Sequence, residues 1–129
     1  MGTRSLTAFI IKGKPDREFA TMYRQFDGYP EGHGVELAEF ISGGQERLYN
    51  GIGCLAAQVV AHFKITMEVG GIYLEIPASR GYDEEYIYEV YTNSKGQLMM
   101  SCYEVWRGKT IFVGTPEKFI QKYKVKETA

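Results

Sequence analysis

Along residues 5–12 the chain alternates: Leu6, Ala8 and Ile10 fall on one side, Thr7, Phe9 and Ile11 on the other, which predicts a strand. A second alternating run, residues 18–26, sets Phe19, Thr21, Tyr23 and Gln25 against Ala20, Met22, Arg24 and Phe26. Gly13, Lys14, Pro15 and Asp16 between them have turn chemistry, so the two runs are predicted to pair as an antiparallel hairpin. In that register Arg24 shares a face with apolar neighbours, and its guanidinium must either reach the edge or meet an acceptor. The period then changes. Val35, Leu37, Ala38, Phe40 and Ile41 have helical spacing with Glu36 and Glu39 outside, and Gly43-Gly44 is the expected end. Ile52, Leu55, Ala56, Val59, Val60 and Phe63 give the strongest helical signal. The small residues Cys54, Ala57 and Ala61 on its other side predict close approach and burial over most of its circumference.

Strand periodicity returns after Gly70-Gly71, with Ile72, Leu74 and Ile76 up to Pro77, and a polar loop is expected over 78–83. Residues 84–92, 97–106 and 109–113 then predict a three-stranded antiparallel meander, turned at 93–96 and at a two-residue Arg107-Gly108 bend. Thr115-Pro116 is a helix start, with threonine as cap and proline at the first helical position. Phe119, Ile120 and Tyr123 form the apolar side of that last helix. The predicted order is β-β-α-α-β-β-β-β-α. Because hairpin-type connections predominate, the fold class is α+β, a mainly antiparallel sheet covered by helices in a single domain, 1–129.

Charge and composition narrow the possibilities. Fifteen basic and sixteen acidic side chains leave a net charge of -1, which argues against a long nucleic acid as partner but permits a small anionic ligand. Cys54 and Cys102 lack metal-type neighbours and read as small buried groups in a reducing compartment. No apolar run has the length of a membrane span, and the N-terminal residues do not resemble a signal peptide, so a cytoplasmic location is expected. Ten tyrosines suit half-buried strand faces and also make a homo-oligomer plausible.

The unusual chemistry lies in one corner, residues 23–34, which contain three glycines, a proline, three aromatics, an arginine, a histidine, a glutamine and two carboxylates. A strand running through glycines into a helix start can offer backbone N–H groups to an anion. The glycine spacing is neither a Walker loop nor a dinucleotide fingerprint, and Asp27-Gly28 is equally a turn. Arg24 can fork onto phosphate or carboxylate, Gln25 and Asp27 can read hydroxyls, and Phe26 or Tyr29 can stack on a ring. The hairpin also carries Arg4 and Ser5 towards Phe26 and Asp27, either to share a ligand or to form an Arg4–Asp27 ion pair. Arg4, Ser5, Arg24, Gln25, Phe26, Asp27, Tyr29 and His33 are thus the candidate ligand-binding residues. If the protein is an enzyme, His33 and Asp27 are the candidate acid and base, although a solvated loop histidine is the simpler expectation for His33. His62 is expected to be a satisfied core histidine. Asp83, Glu84 and Glu85 read as a solvated acidic loop. No cofactor or metal is expected.

The opening Met1-Gly2-Thr3-Arg4-Ser5-Leu6-Thr7 and the segment Gln25-Phe26-Asp27-Gly28-Tyr29-Pro30, with Gly32 and Gly34, resemble a family of small proteins found across tailed phages and bacterial genomes. Its members begin with Thr-Arg-Ser or Thr-Arg-Asn and carry Gln-Trp-Asp-Gly-Tyr-Pro-x-Gly-x-Gly. The likeness covers mainly the first forty residues, with a weaker echo over 83–90. Phe26 stands where that pattern has tryptophan, so an indole N–H donor is missing here. The resemblance implies a phage-linked accessory protein and supports pairing Thr3, Arg4 and Ser5 with the corner.

Three functions follow as expectations. The leading one is a non-catalytic binder of a nucleotide-like or sugar-phosphate ligand, such as a phage counter-defence protein that sequesters a nucleotide signal. The second is a small hydrolase or lyase using His33 and Asp27. The third is a protein-interaction module that inhibits a host enzyme through a tyrosine-rich sheet face.

Overall fold

In a computed structural model, residues 2–42, 50–66, 71–78, 80 and 83–125 are described. The elements are β1 (Ser5–Ile11), β2 (Arg17–Arg24), a π-helical turn (Pro30–Gly34), α1 (Val35–Ile41), α2 (Ile52–Thr66), β3 (Ile72–Glu75), β4 (Tyr86–Thr92), β5 (Leu98–Glu104), β6 (Lys109–Gly114) and α3 (Pro116–Tyr123). This is the predicted α+β order with one addition, the π turn. The predicted helix end at Gly43-Gly44 and the glycine at 70 lie outside the described residues.

The six strands form one sheet in the order β3-β2-β1-β4-β5-β6. The β1–β2 hairpin pairs Ser5 with Arg24 and Thr7 with Met22, and the meander β4-β5-β6 is antiparallel throughout. The sheet is nevertheless mixed, because β1 and β4 run parallel, with Ser5 opposite Tyr86 and Phe9 opposite Val90. The cause is the stretch between β3 and β4. It is a crossover rather than a hairpin loop, since β3 pairs with the outer edge of β2 while β4 pairs with the free edge of β1. Within it, the Ala78 N–H and the Arg80 guanidinium both hold Glu18, each at 2.6 Å.

Cross-strand partners share a face. Phe9, Met22, Tyr88, Val90, Met100 and Cys102 therefore line one side of the sheet, and all are fully buried against Leu37, Ala38, Ile41, Leu55, Val59, Phe63 and Phe119 from the three helices. Two sequence expectations need correction here. Cys54 is half-buried and Ala57 and Ala61 are exposed, so α2 buries one face only. The bend between β5 and β6 takes four residues, 105–108, closed by the Gly108 N–H on the Val105 carbonyl at 3.1 Å, because β5 ends at Glu104.

Helix α3 begins as its sequence predicts, with the Thr115 hydroxyl accepting from the Lys118 N–H at 3.3 Å. Its buried Phe119 packs over Gly34. A Cβ added at residue 34 would lie 2.5 Å from the Phe119 ring and 3.1 Å from the Tyr88 ring. Gly34→Ala should cost about 1–3 kcal/mol through forced overpacking, measured by urea denaturation. A change within a few tenths of a kcal/mol would mean that α3 is loosely seated.

Candidate functional site

Arg24 ends β2 on the helix-facing side, opposite Ser5, and its side chain is 2% exposed. Burying a guanidinium is costly unless its donors are used. Here Nε donates to the Phe26 carbonyl at 2.5 Å, and Nη1 donates to Glu36 Oε2 at 2.7 Å and lies 3.1 Å from His33 Nδ1. The Phe63 ring sits beneath, its centroid 5.5 Å from Cζ. Glu36, which helical spacing assigned to the outer side of α1, is half exposed and is the counter-ion.

His33, on the π turn, is completely buried. Its Nε2 lies 2.7 Å from Thr7 Oγ1. Arginine can only donate, so Nδ1 must accept; the ring is then neutral with its proton on Nε2, donated to Thr7. Burial, with the Arg24 charge as a second cause, holds the imidazole well below its ordinary pKa of 6.5. Rings of Phe63 and Tyr88 close over it at 4.9 and 5.1 Å.

The rest of the corner is tied by its backbone. Asp27 has φ +59°, a left-handed conformation that aspartate tolerates better than most residues. Its carbonyl accepts the His33 N–H at 2.7 Å, and the Gly28 N–H donates to the Thr3 carbonyl at 2.8 Å. The Tyr88 hydroxyl donates to the Gly28 carbonyl at 2.6 Å. A Cβ at position 28 would meet that Thr3 carbonyl at 2.8 Å, so the close approach of the N-terminal segment requires glycine.

The N-terminal strand does fold back beside the corner, as the hairpin predicts. The candidate residues do not, however, converge on one open surface. Arg24, His33 and Ser5 face inward, and the Ser5 hydroxyl is buried without a partner, the one such side-chain atom among the described residues. Arg4 lines a separate recess with Asp83, Glu84 and Glu85 and forms no ion pair with Asp27 among the described residues. Gln25 accepts from the Tyr23 hydroxyl at 2.5 Å. Phe26, Asp27 and Tyr29 remain exposed, with the Tyr29 hydroxyl 3.4 Å from Asp27 Oδ1. His62, expected in the core, is half-buried and stacks on Phe40 at 4.2 Å.

Beside the corner lies a cleft of about 410 Å³ that sequence spacing did not reveal. Pro30 and Glu31 of the π turn, Tyr86 at the start of β4, Glu104 at the end of β5, Lys109 at the start of β6, and Lys122 and Tyr123 at the end of α3 line it. Arg107 also lines it, forked onto both oxygens of Glu104. Burial first, then the Glu104 charge, pushes the Tyr86 phenol up to about 12, so it stays a neutral donor. Trp106, exposed on the 105–108 bend, stands edge-on against Tyr86 with centroids 5.2 Å apart. Lys122 reaches the Ile111 carbonyl at 3.3 Å and lies 5.2 Å from the Tyr123 ring centroid. Lys109 pairs with Glu104 in the β5–β6 ladder, and its ammonium has no hydrogen-bond or ion-pair partner among the described residues. Cys102 nearby is buried, its thiol raised to about 12 chiefly by that burial.

Among the described residues, no cluster of His, Cys, Asp and Glu has metal-binding geometry, and no helix is long and apolar enough to cross a membrane. Fold and site together define an α+β domain, a mixed six-stranded sheet with helices on one face and a charged, aromatic cleft at one end of the sheet. The chain matches no protein-family model, no curated protein and no solved structure.

Arg24→Ala would leave the Phe26 carbonyl and His33 without their donor, and should cost about 3–5 kcal/mol. Glu36→Gln keeps an acceptor at a half-exposed position but removes the carboxylate charge from the buried guanidinium, and should cost less, about 1.5–3 kcal/mol. Chemical denaturation of the two variants checks the order; equal costs would mean that Arg24 does not organise the corner. The depressed His33 pKa also fixes a sign. Above pH 6.5 neither folded nor unfolded His33 holds the extra proton; below it the unfolded chain takes one that the folded chain refuses. The His33 contribution to stability is therefore constant at neutral and higher pH and is lost as pH falls below 6.5, which urea midpoints measured down that range would show.

Proposed function

We propose that this protein is a non-catalytic binder of a small, ring-bearing anion, nucleotide-like or sugar-phosphate in class, held in the cleft between the Pro30–Gly34 turn and the β6–α3 side. The observation that carries this reading is the pairing of cations with aromatic rings in one hollow: Lys109 and Lys122 line it together with Tyr86 and Tyr123. Its volume, about 410 Å³, suits a small molecule, since such sites span about 300–1,000 Å³. The corner contributes rigidity: buried Arg24 and His33 hold the wall formed by Pro30 and Glu31, rather than touching the ligand themselves.

The hydrolase or lyase reading draws less support. A general base must come within reach of its substrate, and the His33 ring is fully buried with both nitrogens engaged inside the protein. Within the cleft, Glu104 is engaged by Arg107, and Tyr86 is kept protonated chiefly by burial. Retention without turnover is what a sequestering protein of the phage-linked type suggested by the N-terminal segment would need.

Incubation with a panel of nucleotides and sugar phosphates, followed by thermal melting and mass spectrometry, tests this. At least one compound should raise the melting temperature and be recovered unaltered. Conversion of the bound compound to product would overturn the reading, as would the failure of every member of the panel to bind.

A further inference from the structure

The cleft holds more information than its general class, and the inference that follows rests on the binding reading above. Its charged groups divide into compensated and uncompensated ones. Arg107 is neutralised by Glu104 through two contacts. Lys122 is held by a carbonyl and lies beside aromatic rings, neither of which cancels its charge, while the Lys109 ammonium has no hydrogen-bond or ion-pair partner among the described residues. Against these two lysines stands the exposed Glu31 carboxylate in the same lining. The local surplus is therefore small. One phosphate group finds enough positive charge here, whereas a polyphosphate would bring further negative charges towards Glu31 and Glu104 with nothing left to receive them.

The remaining chemistry points to a planar group. Trp106 is 59% exposed, and its ring meets that of Tyr86 in a T-shaped contact. An exposed indole in contact with a ring of the cleft lining offers a surface on which a base can stack. The Tyr86 hydroxyl and Thr110 are neutral groups available to sugar or base hydroxyls and carbonyls.

We infer that the ligand is a nucleotide carrying a single phosphate group, bound with its phosphate towards Lys109 and Lys122 and its base against Trp106. Sugar phosphates lack the stacking group, and nucleoside triphosphates carry charge that the cleft cannot match.

Isothermal titration of the intact protein with the four common ribonucleoside 5′-monophosphates, a cyclic monophosphate, ATP and ribose 5-phosphate tests this directly. At least one monophosphate nucleotide should bind at least about tenfold more tightly than either ATP or ribose 5-phosphate. Lys109→Gln and Trp106→Ala, both at exposed positions, should each weaken that binding by about tenfold or more while the free protein still melts in one cooperative transition. Added salt should weaken binding by the wild type more than by the Lys109→Gln variant. Tighter binding of ATP would overturn the single-phosphate assignment while leaving the binding reading intact. Equal binding of ribose 5-phosphate, or no effect of Trp106→Ala, would overturn the stacking assignment in the same way. If neither the nucleotides nor the sugar phosphate bind, both the inference and the reading beneath it fall.

Discussion

A positive charge buried at the end of a strand is the constraint around which this fold is arranged. Arg24 has almost no contact with water, so its donors must be matched by protein. The match comes from three directions: the carbonyl of Phe26 two residues on, the ring of His33 on the π turn, and the carboxylate of Glu36 in α1. Those partners fix the path of the chain between strand and helix. The left-handed Asp27, the widened turn and the neutral histidine follow as conditions for bringing them together. Thr7 and Tyr88, reaching from β1 and β4 to His33 and to the Gly28 carbonyl, then join the same corner to the centre of the sheet.

The proposed binding surface is the outside of this arrangement. Pro30 and Glu31 present a wall whose position is set by buried partners behind it, while the opposite side is carried by β6 and by α3, seated on Gly34 through Phe119. Support and the proposed recognition therefore fall to different residues. The groups that would meet a ligand sit on a turn, a strand end and the last turn of a helix, where substitution costs little stability. The groups that hold them in place are in the core.

Much of the architecture was legible in the sequence because it is local. Alternation located the strands, the i, i+3, i+4 spacing of Ile52, Leu55 and Ala56 marked α2, and Thr115-Pro116 marked the start of α3. The proximity of Arg4 and Ser5 to the corner followed from the hairpin alone. Periodicity carries no information about which strand edge a later strand will choose, and so the parallel β1–β4 pairing was not visible. It also does not distinguish a guanidinium that reaches solvent from one that finds acceptors. His33 lies among glycines, which reads as a wet loop; only the π turn rotates it inward against Thr7. The cleft was invisible for a different reason. Pro30, Tyr86, Arg107, Lys109 and Lys122 come from separate segments and form no motif when read along the chain.

The parallel pairing at the centre of the sheet also bears on how the protein is made. The first strand is an interior strand, and one of its edges is filled by residues 86–90, which leave the ribosome long after it does. The early hairpin must wait with an unsatisfied row of backbone groups beside Leu6, Ala8 and Ile10, the kind of edge on which chains stick to one another. Synthesis of this protein thus includes an interval during which its most buried strand is its most exposed one, and the interval ends only when β4 takes its place.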